Sequence, residues 1–96
     1  MKISIVIPCY NEVKFLEICI DNILNLSNLE FPMEIIIVDD YSTDGSRDVI
    51  KKLYDKKKIE KYILKEKNEG KGAAIKTGIK EVSGDIVLIQ DADLEY

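Results

Sequence analysis

Two aspartates near the end of the sequence, Asp91 and Asp93, have the type and spacing for metal chemistry. They follow a short apolar segment, Ile86–Ile89, whose β-branched residues after Gly84 predict a buried strand. The carboxyl end of a parallel strand is where open α/β sheets bind ligands. One intervening residue lets a bent chain direct both carboxylates at one hard divalent cation on a phosphate. The alternative is local: Asp91 starts a turn and Asp93 caps a helix.

Polar residues also follow two other predicted strands, as Tyr10-Asn11-Glu12 and as Asp39-Asp40. A parallel sheet brings the carboxyl ends of its strands to one edge, so we expect these groups to converge with Asp91 and Asp93. Oxygen ligands without histidine favour Mg²⁺ or Mn²⁺ over zinc. Clustered carboxylates repel one another, and a bound cation would relieve that repulsion.

The elements that position these groups alternate along the chain. Strands are predicted at Ile3–Ile7, Met33–Val38, Ile59–Leu64 and Ile86–Ile89. Helices are predicted after Asn11, ending around 26–28, and after the 41–46 loop, and a third helix is predicted to open with the 68–74 segment. This β-α-β-α-β-α-β order requires a parallel sheet with right-handed crossovers, and the fold class is therefore an α/β three-layer sandwich. The third strand alternates weakly and is expected at an edge.

Local signals set the expected boundaries of these elements. Pro8 has no N–H to donate and is expected to close the first strand. Asn11 is expected to cap the first helix. The third helix should face the sheet with a stripe of small and apolar residues, namely Ala74, Ile75, Gly78, Ile79 and Val82.

Composition excludes several classes of protein. The 96 residues fit one domain, and a hydrophobic content of 46% with 33% charged residues is typical of a globular chain. A net charge of −4 argues against nucleic-acid binding, and no apolar run approaches the length of a membrane span. The start of the sequence lacks the features of a signal peptide. Without histidine, His-based triads are excluded, and Cys9 and Cys19 are interpreted as reduced thiols of a cytoplasmic protein.

The segment Gly70-Lys71-Gly72 contains a candidate phosphate ligand. It lacks the spacing of a P-loop, and the first strand is not followed by the glycine pattern of a dinucleotide fold. Lys71 and nearby backbone N–H groups could nevertheless meet a phosphate at a helix start. Equally, the two glycines could serve a tight turn only.

Taken together, the ordered motifs resemble the large inverting family of nucleotide-sugar glycosyltransferases, family two, with the Rossmann-like A-type fold. The resemblance lies in Val6–Glu12, Val38–Ser46 and Gly84–Asp93 and covers essentially the whole chain. Gly70–Ala74 and Asp91–Tyr96 are similar to the polyprenyl-phosphate (dolichol-phosphate) mannose or glucose synthase branch. The resemblance implies a nucleotide-diphospho-sugar transferase-like fold, a GDP- or UDP-hexose donor, Mg²⁺ or Mn²⁺, and a polyprenyl-phosphate acceptor at the inner face of the membrane.

The resemblance also implies roles for individual positions. Pro8, Tyr10 and Glu12 would line the nucleoside pocket, and Val38, Asp39 and Asp40 would contact the base and ribose. Asp91, Ala92 and Asp93 would hold the ribose–diphosphate side. The metal would be carried by Asp93 with Asp91, and Glu95 is a further candidate ligand.

The family's domain continues past the last motif, whereas this sequence stops after its fourth predicted strand. We therefore expect residues 1–96 to be a single donor-binding half-domain with little transfer activity alone. The sequence identifies no catalytic base. One alternative hypothesis is a non-catalytic nucleotide-binding module that self-associates through an exposed sheet edge. Another is a phosphohydrolase with Asp91 as nucleophile and Asp93 as acid, although such enzymes usually carry that pair after their first strand.

Overall fold

The computed structural model describes residues 1–25 and 31–92. Strands and helices alternate in the expected order: β1 Ile3–Cys9, α1 Leu16–Asn25, β2 Met33–Asp39, α2 Ser46–Asp55, β3 Lys61–Leu64, α3 Lys71–Ile79 and β4 Ile86–Ile89. The expected end of the first helix, at 26–28, lies outside the described residues. Among those residues, no helix has the length and apolar character needed to cross a membrane.

The strands form one parallel sheet in the order β3-β2-β1-β4. The chain moves outward from β1 through β2 to β3 and then returns to the far side of β1. Helices α1 and α2 pack on one face of the sheet, and α3 packs on the other. Right-handed crossovers place helices on opposite faces when the direction of winding reverses. The α/β fold with three layers is therefore confirmed, and β3 occupies an edge as predicted.

The core is divided by the sheet into two clusters. The larger one joins α1 and α2 to alternate residues of β1 and β2, and the smaller one joins Ala74 of α3 to Ile36 and Val38. Of the expected stripe on α3, Ala74 and Gly78 are buried, whereas Ile79 is exposed. The small residues matter because a Cβ at Gly78 would lie 2.5 Å from a methyl of Val6.

Strand β1 runs through Pro8 instead of ending before it. Pro8 pairs with Val38 of β2, and Cys9 extends the pairing by one more residue. The Val6 carbonyl accepts the N–H of Gln90 at 3.0 Å, so even-numbered residues of β1 turn their backbone groups toward β4. At Pro8 the β1–β4 pairing has already stopped at Val6, so the missing N–H leaves no ladder position empty.

The prediction that β4 is buried is wrong. Its four residues are 37–50% exposed, although they are all apolar. The strand lies at the edge of the sheet, and none of its residues belongs to either core cluster of the described residues. A continuous apolar run indicates that a strand is suited to burial, but the strand is buried only where neighbouring elements cover it.

Candidate functional site

The carboxyl ends of β1, β2 and β4 open onto a cavity of about 150 Å³. Its lining consists of Pro8, Cys9, Tyr10, Glu12, Asp40, Lys71, Ala74, Asp91 and Ala92. The cavity lies beside β1, where the direction of strand winding reverses, and such switch points are the usual ligand sites of open parallel sheets. The structure thus brings together Tyr10, Glu12, Asp40 and Asp91, four of the polar residues that follow three strands.

The remaining predicted site residues lie elsewhere. Val38 is fully buried beneath α3, and Asp39 is fully buried under the β2–α2 loop, so neither lines the cavity. Asp93, like Glu95, lies outside the described residues. Two lining residues, Cys9 and Ala74, were not predicted. Cys9 lines the cavity because β1 extends beyond Pro8, and Ala74 lines it because α3 packs closely on the sheet.

Asn11 joins the β1–α1 loop to the β2–α2 loop. Its N–H donates to Ser42 Oγ at 2.9 Å, and its side-chain oxygen accepts the Thr43 N–H at 2.8 Å. Its φ of 53° lies in the left-handed region, which Asn tolerates better than most residues. The expected helix cap is therefore wrong: α1 begins at Leu16, and Asn11 uses its side chain to connect the two loops.

Two more hydrogen bonds fasten the same loops. Glu12 N–H donates to Ser46 Oγ at 3.0 Å, and Val13 N–H donates to Asp44 Oδ2 at 3.1 Å. Burial raises the pKa of Asp44, but the hydrogen bonds from Ser46 and Val13 outweigh it and hold that pKa below its ordinary value. The backbone beneath Tyr10 and Glu12 is thus fixed by the neighbouring loop.

The side chain of Asp39 stabilises the β2–α2 loop through hydrogen bonds. Its carboxylate accepts the Ser42 N–H at 2.8 Å and Arg47 Nε at 2.8 Å. Arg47 also donates to the Lys65 carbonyl, and its guanidinium lies 5.2 Å from the centre of the Tyr41 ring. The fully buried Asp39 is therefore paired with a cation, as a buried charge must be, and it acts on the shape of the loop.

Asp40 fastens the start of α3 to the carboxyl end of β2. Its two carboxylate oxygens accept the N–H groups of Glu69 and Gly70, at 2.9 and 2.8 Å. Gly70 has a φ of 95°, a conformation that favours glycine. Asp40 is 4% exposed and lines the cavity, so one residue both shapes the cavity wall and fixes the segment that carries Lys71.

Lys71 and Asp91 form an ion pair across the cavity. Both side chains are about half exposed, at 59% and 51%. The backbone of Asp91 is fixed more firmly, because Cys19 Sγ of α1 lies 3.6 Å from its carbonyl oxygen and the next residue, Ala92, is buried in the larger core cluster. Asp91 thus presents a half-exposed carboxylate on an anchored backbone.

Cys9 is a poor nucleophile despite its place in the cavity wall. Burial, and then the nearby charge of Asp39, raise the pKa of its thiol to about 12. The group therefore remains protonated at neutral pH. Both cysteines are buried, free thiols.

The carboxylate of Asp91 fits a hard divalent cation in chemical type and in accessibility. Within the part of the chain that the structure describes, no group of three or more acidic, cysteine or histidine side chains is arranged around a metal position. Of the two metal ligands that the sequence predicts, the described residues include Asp91, and the assignment of Asp93 stays a prediction. Zinc is disfavoured because the candidate ligand is oxygen and the sequence has no histidine.

Comparison with known proteins identifies relatives over nearly the whole chain. The profile of the family described as "Glycosyl transferase family 2" matches residues 4–96. A dolichol-phosphate mannosyltransferase of Pyrococcus furiosus is 39% identical over 97 aligned residues, which cover 100% of this chain and 27% of that protein.

Solved structures give the same result. The mannosyltransferase PcManGT of Pyrobaculum calidifontis, in complex with GDP-Man and Mn²⁺, superimposes with a TM-score of 0.82 at 28% identity. That match covers 95% of this chain and 27% of the other. Residues 1–349 of S. aureus TarS, in complex with UDP-GlcNAc, superimpose with a TM-score of 0.73 at 32% identity, over 97% of this chain and 27% of the other. The chain thus spans less than a third of each of these three proteins.

Proposed function

The chain belongs to glycosyl transferase family 2, and on that premise we propose that residues 1–96 are the donor-binding half-domain of a hexosyltransferase. The donor is a nucleoside diphosphate hexose, bound with Mg²⁺ or Mn²⁺. The acceptor is a polyprenyl phosphate, which would place the reaction at the cytoplasmic surface of a membrane.

The observation that carries this proposal is the meeting of Asp40, Lys71 and Asp91 around one cavity at the switch point of the sheet. Ligand cavities for whole small molecules measure roughly 300–1,000 Å³. At about 150 Å³, this cavity suits only part of a nucleotide sugar. The nucleoside would enter between Tyr10 and Asp40, and the diphosphate would extend over the open side near Asp91.

Six of the lining residues then have roles that their positions support. Pro8 and Tyr10 offer apolar and aromatic surface to the nucleoside, while Glu12 and Asp40 offer acceptors for its N–H and O–H groups. Lys71 and Asp91 face the diphosphate. A divalent cation at Asp91 would neutralise the charge that develops on the departing nucleoside diphosphate. A phosphate acceptor is already anionic and needs little help from a general base.

The relatives support this assignment, but they do not identify the nucleobase or the sugar of the donor. One is a dolichol-phosphate mannosyltransferase, one was solved with GDP-Man and Mn²⁺, and one with UDP-GlcNAc. Both GDP and UDP are therefore the ligands to try first.

Titration calorimetry with GDP and UDP, each with and without Mn²⁺, tests the proposal. We expect one nucleotide to bind at least about tenfold more tightly with Mn²⁺, a difference of about 1.4 kcal/mol. Asp91→Asn should abolish that gain, because it removes the candidate metal ligand. Asp55→Asn at the exposed end of α2 removes the same charge away from the cavity and should leave the gain intact. Absence of binding by either nucleotide, with or without metal, would contradict the proposal.

A further inference from the structure

We propose that Lys71 is an internal counter-ion of Asp91, which it leaves when the carboxylate takes up a divalent cation, and that the released ammonium then binds the donor diphosphate. This inference rests on the proposed donor site and adds the order in which the metal and the diphosphate bind there. Asp91 is paired with Lys71 first, then with the metal. The diphosphate finally meets the metal and Lys71 together.

The first support is the ion pair itself. Lys71 and Asp91 lie on different elements, and they meet only because both face the same cavity. Ion pairs as exposed as this one are weak, so the contact is easily exchanged. Lysine carries its charge on a long flexible stem, and it can therefore move to a phosphate without any movement of α3.

The second support is the rigidity of both backbones. Asp40 accepts the N–H groups of Glu69 and Gly70, and this fixes the turn immediately before Lys71. On the other side, the backbone of Asp91 is fixed by its contact with Cys19 and by the burial of the next residue. Exchange of partners is thus confined to two side chains between anchored segments.

The experiment measures Mn²⁺ binding to the 96-residue chain by electron paramagnetic resonance, without nucleotide. Lys71→Gln removes the competing cation, and we expect it to bind Mn²⁺ about two- to fivefold more tightly than the parent chain. Lys71→Arg keeps the charge and should bind Mn²⁺ no more tightly than the parent. Lys80→Gln at the other end of α3, roughly 13 Å along the helix, is the control for net charge and should match the parent.

The second measurement is nucleoside diphosphate binding at saturating Mn²⁺, using whichever of GDP and UDP binds the parent chain. Here the effect of Lys71→Gln should reverse, with binding about tenfold weaker, because a charge-assisted contact to phosphate is lost. Circular dichroism of each variant establishes that it is folded.

The outcomes separate this inference from the proposed function. If Mn²⁺ and nucleotide bind the parent chain, but Lys71→Gln binds Mn²⁺ with unchanged or lower affinity, the counter-ion role is wrong and the donor site stands. If Lys80→Gln gains as much Mn²⁺ affinity as Lys71→Gln, the effect is one of net charge, and the inference also fails. If neither Mn²⁺ nor nucleotide binds the parent chain, the proposed function itself fails.

Discussion

Glu34 places a buried carboxylate at the amino end of the sheet, opposite the cavity. It is 2% exposed and accepts hydrogen bonds from Ser4 Oγ at 2.7 Å and from the Ser83 N–H and Oγ at 3.0 and 2.8 Å. Lys61 Nζ lies 3.1 Å from its other oxygen. Burial alone raises the pKa of Glu34, but these hydrogen bonds outweigh burial and lower it from 4.5 to about 2. The ionised side chain thus joins β1, β2 and the segment before β4.

A depressed pKa makes stability depend on pH in a defined direction. Glu34 should stabilise the fold fully above pH 4.5, and this contribution should fall as pH decreases toward 2. The shift corresponds to about 3 kcal/mol of unfolding free energy. Urea unfolding at a series of pH values measures it. Glu34→Gln should remove most of the decline over this range, whereas Glu66→Gln at an exposed position should not. An equal decline in Glu34→Gln would show that other carboxylates control acid unfolding.

The cysteines give a second prediction for individual residues. Cys9 and Cys19 are 1% and 2% exposed, and the pKa of Cys9 is raised to about 12. We expect alkylation by iodoacetamide at pH 8 to be slow in the folded chain, because the reagent requires an accessible thiolate. Mass spectrometry of labelled peptides, with the urea-unfolded chain as reference, measures each rate. Labelling of Cys9 in the folded chain at the unfolded rate would exclude the buried, protonated thiol.

At the scale of elements, the two glycines of α3 offer a matched pair. A Cβ at Gly78 would lie 2.5 Å from Val6 Cγ1 and 3.1 Å from Val38 Cγ2, whereas a Cβ at Gly72 would meet nothing within 4 Å. Gly78→Ala should destabilise the fold by about 1–3 kcal/mol, since overpacking exceeds the gain in helix propensity. Gly72→Ala should stabilise it by about 0.5–1 kcal/mol. Chemical unfolding of both variants measures these changes, and equal effects of the same sign would contradict the close approach of α3.

The alternation of elements was predictable because apolar periodicity is a local property of the sequence. Strand β2 was predicted within one residue, and the small residues of α3 correctly indicated close packing. The errors occurred where a distant partner determines the outcome. Pro8 stays in its strand because β4 stops short of it, and Asn11 bonds Ser42 and Thr43 instead of capping α1. The residues next to Pro8 and Asn11 in the sequence do not identify these distant partners.

The same distinction applies to the site as a whole. Asp40 and Asp91 were predicted to meet because strand ends of a parallel sheet share one edge, and both line the cavity. Arg47 was missed, since its partners Asp39 and the Lys65 carbonyl come together only when α2 packs beside β3. The ion pair between Lys71 and Asp91 depends on the return of the chain across β1, which places α3 near the end of β4. Topology therefore decides which of the polar loop residues become neighbours.

At the scale of the whole molecule, the two edges of the sheet differ. The β3 edge carries Lys61, a charge that discourages pairing with another strand. The β4 edge carries four exposed apolar residues on both faces, and no described strand pairs with its outer side. An apolar edge of this kind is a template for pairing with another chain. In solution, a second copy of the 96-residue chain can supply the strand that pairs with this edge.

We therefore expect the 96-residue chain to self-associate as its concentration rises, with β4 at the contact. Light scattering coupled to size-exclusion chromatography measures the mass, which should not respond to nucleotide because the cavity lies at the end of the strands. Leu88→Lys should restore the monomer, since a charge on the apolar edge opposes pairing. Ile18→Lys on α1 is the matched control, because Ile18 and Leu88 are 49% and 50% exposed. If the two lysine variants shift the mass equally, net charge governs association and β4 is not the contact. If the parent chain stays monomeric at every concentration, the exposed apolar side chains of β4 do not drive association, and the prediction is wrong.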